Sequence, residues 1–296
     1  MSERDVVIAA LARILAGERA DAVVPAVLAS LGADAGNPVR ARVAGAIYRA
    51  SIFRLRLAFT AGLDGAALSA DDAPALVDAL DAQQMRAWPS DPFARLVVER
   101  SCPAPLARAL VDALGHHGAD AFLAASNEPG PKVLRANTLR TSRDVLAQRL
   151  LADHGIATSA GEHAAHALVV VEGPERARAN LFGSRAWRDG WFEVQDQASQ
   201  CVALATGAKP GDVVVDLCAG RGGKTVALAA MMQDRGALHV HDVDERALTD
   251  LAVREKRAGL TCLVRGLPRE GSADVVLVDA PCSSTGVLRR SPDLRF

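Results

Sequence analysis

Apolar positions in the first 125 residues recur at helical spacing: Val6, Ala10, Leu11, Ile14 and Leu15 form one stripe, and Leu76, Val77 and Leu80 another. Alanine is abundant and no alternating strand pattern interrupts, so residues 1–125 are predicted to form an all-α bundle. Breaks at residues 32–38, 62–65 and 88–92 divide it into several helices. Residues 126–205 open on the loop SNEPGPK. A short strand, a turn and a helix that Thr141 or Ser142 could cap come next, then strand signals at 167–171 and 191–194. This is the pattern of a small α+β module. In residues 206–296 apolar runs at 213–217, 238–240, 262–264 and 275–278 alternate with helical patterns at 225–232 and 245–258. Strands alternating with helices predict βαβ units, a parallel sheet and a Rossmann-like α/β domain.

The chain has 296 residues, 50% of them hydrophobic, enough for two domains and a small third. Its formal net charge of −1 excludes a strong overall basic field, so any nucleic-acid contact must be argued locally. Between Gly36 and Leu63 there is no acidic residue, while Arg40, Arg42, Arg49, Arg54 and Arg56 supply positive charge. That stretch is either a solvated charged face or a phosphate-contacting patch. The five cysteines are odd in number and contain no CxxC pair, which indicates neither a disulfide framework nor a metal site. No apolar run approaches the ~20 residues of a membrane span. A cytoplasmic protein without a membrane or metal partner and without a targeting segment is expected.

In DVVVDLCAGRGGKTVALAA a buried strand runs into Gly220, Gly222 and Gly223 and straight on into a helix. A ligand can approach the backbone and the helix N-terminus closely there. Three ligand classes compete. A phosphate-binding P-loop would need glycine where Cys218 stands, and a dinucleotide GxGxxG would need it where Thr225 stands. S-adenosylmethionine is the third. Asp242, at the end of the next strand, is placed to accept the ribose hydroxyls of an adenosine cofactor of either the nicotinamide or the methionine kind. The N-cap of the helix beginning at Glu245 suits Asp244 better than Asp242.

A further strand delivers Asp279, Pro281 and Cys282 to its C-terminal edge in VDAPCSSTGVLRRSPD. With LCAGRGGKT, HDVDERAL, LRANTLRTS and FEVQDQASQCVA, this block resembles the cytosine-5 RNA methyltransferases of the RsmB/Sun and NOP type, which act on 16S ribosomal RNA and related RNAs. The resemblance implies a NusB-like RNA-binding domain at 1–125, a linking and RNA-binding α+β module at 126–205, and the N-terminal part of a class I methyltransferase domain at 206–296. It implies S-adenosylmethionine as cofactor, with Cys218, Ala219, Gly220, Arg221, Gly222, Gly223 and Lys224 as its loop, Asp242 as ribose clamp and Asp279 beside both cofactor and base. Arg135, Asn137 and Arg140 are the expected RNA contacts. Carbon 5 of cytosine is a poor nucleophile, so a cysteine thiolate must first add to carbon 6. In the family that cysteine lies in a later Thr-Cys motif, while the cysteine corresponding to Cys282 assists release of the product. Strand order of the methyltransferase kind would make strands 213–217 and 275–278 neighbours and bring Cys218 and Cys282 to one edge. Cys102, Cys201 and Cys262 are expected to be structural.

Two positions depart from the family pattern. Leu267 follows Gly266 where the family places an aspartate near the adenine, and the main nucleophile is expected beyond Phe296. The chain is accordingly expected to hold an incomplete sheet, with four of seven strands, and to lack that nucleophile. The alternatives are a non-catalytic RNA-binding protein with a decayed methyltransferase part, and an enzyme that uses Cys282 itself as nucleophile.

Overall fold

The computed structural model describes residues 2–32, 36–82, 86–171, 181–282, 285–289 and 295–296. They fall into two compact units, residues 1–130 with 283–296, and residues 131–282.

The first unit is helical: α1 (Glu3–Leu15), α2 (Ala20–Ser30), α3 (Asn37–Ile52), α4 (Arg54–Ala61), α5 (Ala73–Ala79), α6 (Pro92–Glu99) and α7 (Ala104–Asn127). A reciprocal capping box between Ser2 and Asp5 starts α1. Its stripe of Val6, Val7, Ala10, Leu11 and Ile14 is buried against Val23, Ile47 and Leu76. The basic stretch is largely engaged within this unit. Arg40 donates to the carbonyls of Leu28 and Gly32, Arg42 pairs with Glu3, Arg54 lies over the ring of Phe296, and Arg56 lies by the rings of Phe53 and Trp88.

The second unit contains two sheets. In the first, β1 (Val133–Ala136), β2 (Thr158–Ala160), β3 (Ala167–Val170) and β4 (Phe192–Val194) form an antiparallel sheet of order β2-β3-β1-β4. Helices α8 (Arg143–His154) and α9 (Arg185–Arg188) belong to it, and Ser142 caps α8. Leu134 and Phe192 on one face of this sheet bury against Leu146 and Leu150 of α8. The second sheet follows α10 (Gln197–Ala205). It consists of β5 (Val213–Asp216), β6 (Ala237–Val240), β7 (Leu263–Arg265) and β8 (Val275–Leu277), all parallel, in the order β7-β6-β5-β8. Two crossover helices, α11 (Gly223–Met231) and α12 (Glu245–Ala258), cover it, with Leu228, Leu238 and Leu251 in the shared core. The expected adjacency of the strands around 213–217 and 275–278 is realised as the β5/β8 pair.

The α+β module is joined to the parallel sheet's helices by side chains expected to face RNA, and burial corrects that expectation for two of them. Arg135 is 5% exposed and Asn137 2%. Asn137 Nδ2 donates to the carbonyls of Gly190 (2.9 Å) and Ala258 (3.3 Å), capping the end of α12. Sequence spacing does not report which face of a strand another element covers, and here the face bearing Arg135 and Glu193 is covered. Arg140 is exposed and spends its Nε on Ala258 O.

Candidate functional site

The order β7-β6-β5-β8 places the chain reversal between β5 and β8, so the crevice at their C-terminal ends is the switch point where open α/β sheets bind ligands. The loop after β5 is built for close approach. Gly220 and Gly222 have φ of 52° and 83°, the left-handed region. A Cβ on Gly222 would stand 2.2 Å from Leu251 Cδ1, so glycine here serves both the turn and the packing of α12. Gly222 then caps α11, whose first-turn amides have no intrahelical acceptor.

Carboxylates surround this loop. Asp242 follows β6 and accepts from the backbone N–H of Gly220 through one oxygen (2.7 Å) and of Asp244 through the other (2.8 Å). These two donors hold its carboxyl below the usual range. Asp244 is the N-cap of α12, accepting from Arg246 N–H. Asp279, after β8, is ion-paired to Lys224 in the first turn of α11, which fastens the two neighbouring loops together. Asp216 was not singled out by sequence reasoning. It ends β5 at 1% exposure, accepts from Thr225 Oγ1 at 2.7 Å, and keeps Oδ1 without a hydrogen-bond partner. Burial pushes its carboxyl up. The available signal was a carboxylate closing a hydrophobic run immediately before a glycine loop.

Cys218 follows β5 by two positions and is half-buried; Cys282 follows β8 by five and is exposed. The two thiols therefore leave adjacent strands at one edge. Burial pushes the Cys102 thiol up to about 11 and that of Cys262 up to about 12, leaving both as neutral packing groups at neutral pH. Cys201 Sγ lies 3.3 Å from the carbonyl of His163. Arg221 pairs with Asp250. Leu267 is 56% exposed beyond β7. Among the described residues no cluster of His, Cys, Asp and Glu could hold a metal, and no helix is long and apolar enough to cross a membrane.

Residues 203–296 match the family model described as 16S rRNA methyltransferase RsmB/F, and residues 102–175 match that of the RsmF/B-like ferredoxin-like domain. The probable ribosomal RNA small subunit methyltransferase B of Bacillus subtilis strain 168 is 30% identical over 215 residues, which is 70% of this chain and 46% of that protein. A human 28S rRNA (cytosine(4447)-C(5))-methyltransferase is 29% identical over 181 residues, 59% of this chain and 22% of that protein. The crystal structure of PH0851 has a TM-score of 0.76 at 22% identity, covering 100% of this chain and 78% of that one, a likeness of fold alone. The chain spans less than half the length of these curated relatives.

Proposed function

This chain belongs to the RsmB/F methyltransferase family through its ferredoxin-like and methyltransferase domains, and on that premise we propose that it serves the S-adenosylmethionine-dependent methylation of carbon 5 of a cytosine in RNA, 16S ribosomal RNA being the favoured substrate, in the cytoplasm. One observation carries this reading: β5 and β8 are parallel neighbours, and their loops are fastened by Lys224 and Asp279 at the edge where Gly220 is held by Asp242.

The residues fit the cofactor. The loop from Cys218 to Lys224 exposes backbone and a helix N-terminus, Asp242 carries a carboxylate suited to ribose hydroxyls, and Asp216 retains a buried acceptor with nothing donating to it. When bound, S-adenosylmethionine supplies an electrophilic methyl group on its sulfonium. Asp279 would hold a proton at the pyrimidine ring nitrogen while a thiolate adds to carbon 6, with Lys224 fixing its orientation. Cys282 would assist release of the methylated base, and the adding thiolate would come from the family's later Thr-Cys segment. Arg140 remains the exposed candidate for RNA contact in the α+β module, and the helical domain, read as NusB-like, would add to it.

The test has two parts. Calorimetry on the chain should detect saturable, one-to-one uptake of S-adenosylmethionine; no uptake overturns the reading. Methyl-labelled cofactor and unmodified small-subunit rRNA, incubated with a polypeptide that also carries the Thr-Cys segment, should yield labelled 5-methylcytosine. Label in another base would sink the cytosine assignment.

A further inference from the structure

Residues 283–296 group with residues 1–130 and not with the unit that ends at Cys282. Two arginines make the attachment. Arg289 donates from Nε to Glu128 O (2.7 Å) and from Nη2 to Pro129 O (2.9 Å). Arg295, 5% exposed, donates from Nη2 to Ser126 O (3.1 Å) and from Nη1 to Asn127 Oδ1. Asn127 is itself fixed, because its Nδ2 donates to Arg100 O (2.9 Å) and its Oδ1 is thereby presented to Arg295. Leu288, next to Arg289, is buried.

These acceptors share one place in the fold, the C-terminal end of α7 and the residues just after it. The last carbonyls of a helix have no intrahelical donor and carry the negative end of its dipole, which suits a guanidinium. Burying Arg295 on the neutral oxygens of Ser126 and Asn127 is nonetheless costly, and burial holds its guanidinium below the ordinary value. An apolar side chain would seal the same spot at lower cost. A planar fork with fixed donors adds direction, so it sets where the chain runs as well as that it is attached.

We propose that Arg289 and Arg295 are positioning residues for Cys282, tying the segment that follows the cysteine to the end of α7 so that its loop is held from both sides. The near side is held by β8 and by the ion pair of Lys224 with Asp279. The proposal rests on the methyltransferase reading, in which Cys282 serves release, and assigns the aiming of that thiol to residues anchored in the helical unit. In release a base takes the proton from carbon 5 of the methylated adduct. The C–H electron pair closes the double bond to carbon 6, and the carbon–sulfur pair leaves on the thiolate. Cys282 must therefore lie within reach of that proton, and a displacement of ~1 Å caused by a remote change can cost about a hundredfold. Addition depends less on the tether, because Lys224 fastens Asp279 on the sheet side.

The test uses the polypeptide that also carries the Thr-Cys segment, with methyl-labelled cofactor and small-subunit rRNA, and follows the covalent protein–RNA adduct through a single turnover on denaturing gels. Arg289→Met and Arg295→Met should each slow decay of the methylated adduct at least about tenfold, while its formation and the affinity for S-adenosylmethionine stay within about twofold of the parent. A merely structural role predicts less adduct, not a longer-lived one. Arg289→Lys, which keeps the charge and loses the fork, should fall between parent and methionine variant. Asn127→Ala attacks the anchor from the helix side and should slow decay in the same direction; it decides the matter if a methionine variant fails to fold. Decay at the parent rate in folded variants, or loss of adduct formation in step with stability, overturns the positioning role and leaves the methyltransferase reading standing. A parent that methylates no cytosine removes both.

Discussion

Asp216 combines burial, a single satisfied oxygen and a raised carboxyl pKa, and its cost to stability follows in sign. Because the folded-state value lies above the ordinary one, the ionised form opposes folding at neutral pH. That opposition fades as pH falls through the raised value and the carboxyl takes up its proton. Asp216→Asn keeps an acceptor for the Thr225 hydroxyl and removes the charge. Its melting temperature at pH 7 is expected to exceed that of the parent, and the gap to narrow as pH is lowered, in thermal scans across pH. Its affinity for S-adenosylmethionine should fall, as happens where a functional group is kept at the expense of stability. Asp216 was missed in the sequence because a carboxylate at a strand end looks like any polar boundary; only its burial beneath the loop distinguishes it. Arg135 was misjudged for the converse reason, since an arginine in a short strand reads as surface charge until a second layer covers it.

Among the elements, the turn from β5 into α11 depends on Gly222. A substitution to alanine meets both a φ of 83° and the Leu251 side chain at 2.2 Å. Gly222→Ala should cost at least about 2 kcal/mol in urea unfolding, the positive φ alone contributing about 1–2. Combining it with Leu251→Ala should not restore the parent stability, because the backbone strain remains and a core side chain is lost. The joint between the α+β module and α12 depends on Asn137, whose side-chain amide serves two carbonyls. Asn137→Ala removes the side-chain donor to Gly190 O and leaves Ala258 O to Arg140 Nε, and should destabilise the protein by about 1–3 kcal/mol. Arg140→Ala, at an exposed position, should cost clearly less by the same measurement. The helices α11 and α12 and the strands β5, β6 and β8 stood out in the sequence because each carries one strong period bounded by glycine or a cap. In the α+β module β2 did not stand out, because Thr158–Ala160 is a three-residue strand with no buried residue and so carries no hydrophobic period.

At the scale of the whole molecule, the helical core around Leu11 and Ile47 and the core around Leu228 and Leu238 are separate hydrophobic clusters in separate compact units. A ligand that binds one folded unit stabilises that unit by mass action, about 2.7 kcal/mol at a hundredfold excess over Kd. S-adenosylmethionine should therefore move the unfolding of residues 131–282, followed through Trp187 and Trp191, to higher denaturant. The helical unit, followed through Trp88, should stay where it is; a shift of that unit alone would contradict the site assignment. The sequence by itself determined the succession of a helical segment, an α+β module and a parallel α/β segment, together with the glycine loop and the Asp279 to Cys282 block, because periodicity and turn chemistry are local properties of the chain. Only the tertiary structure decided that Lys224 reaches Asp279, and that Arg135, Glu193, Gln195 and Arg254 gather beside α11. Those outcomes depend on which faces pack together, and burial and charge pairing between residues tens of positions apart exist only once the sheets and helices have closed on one another.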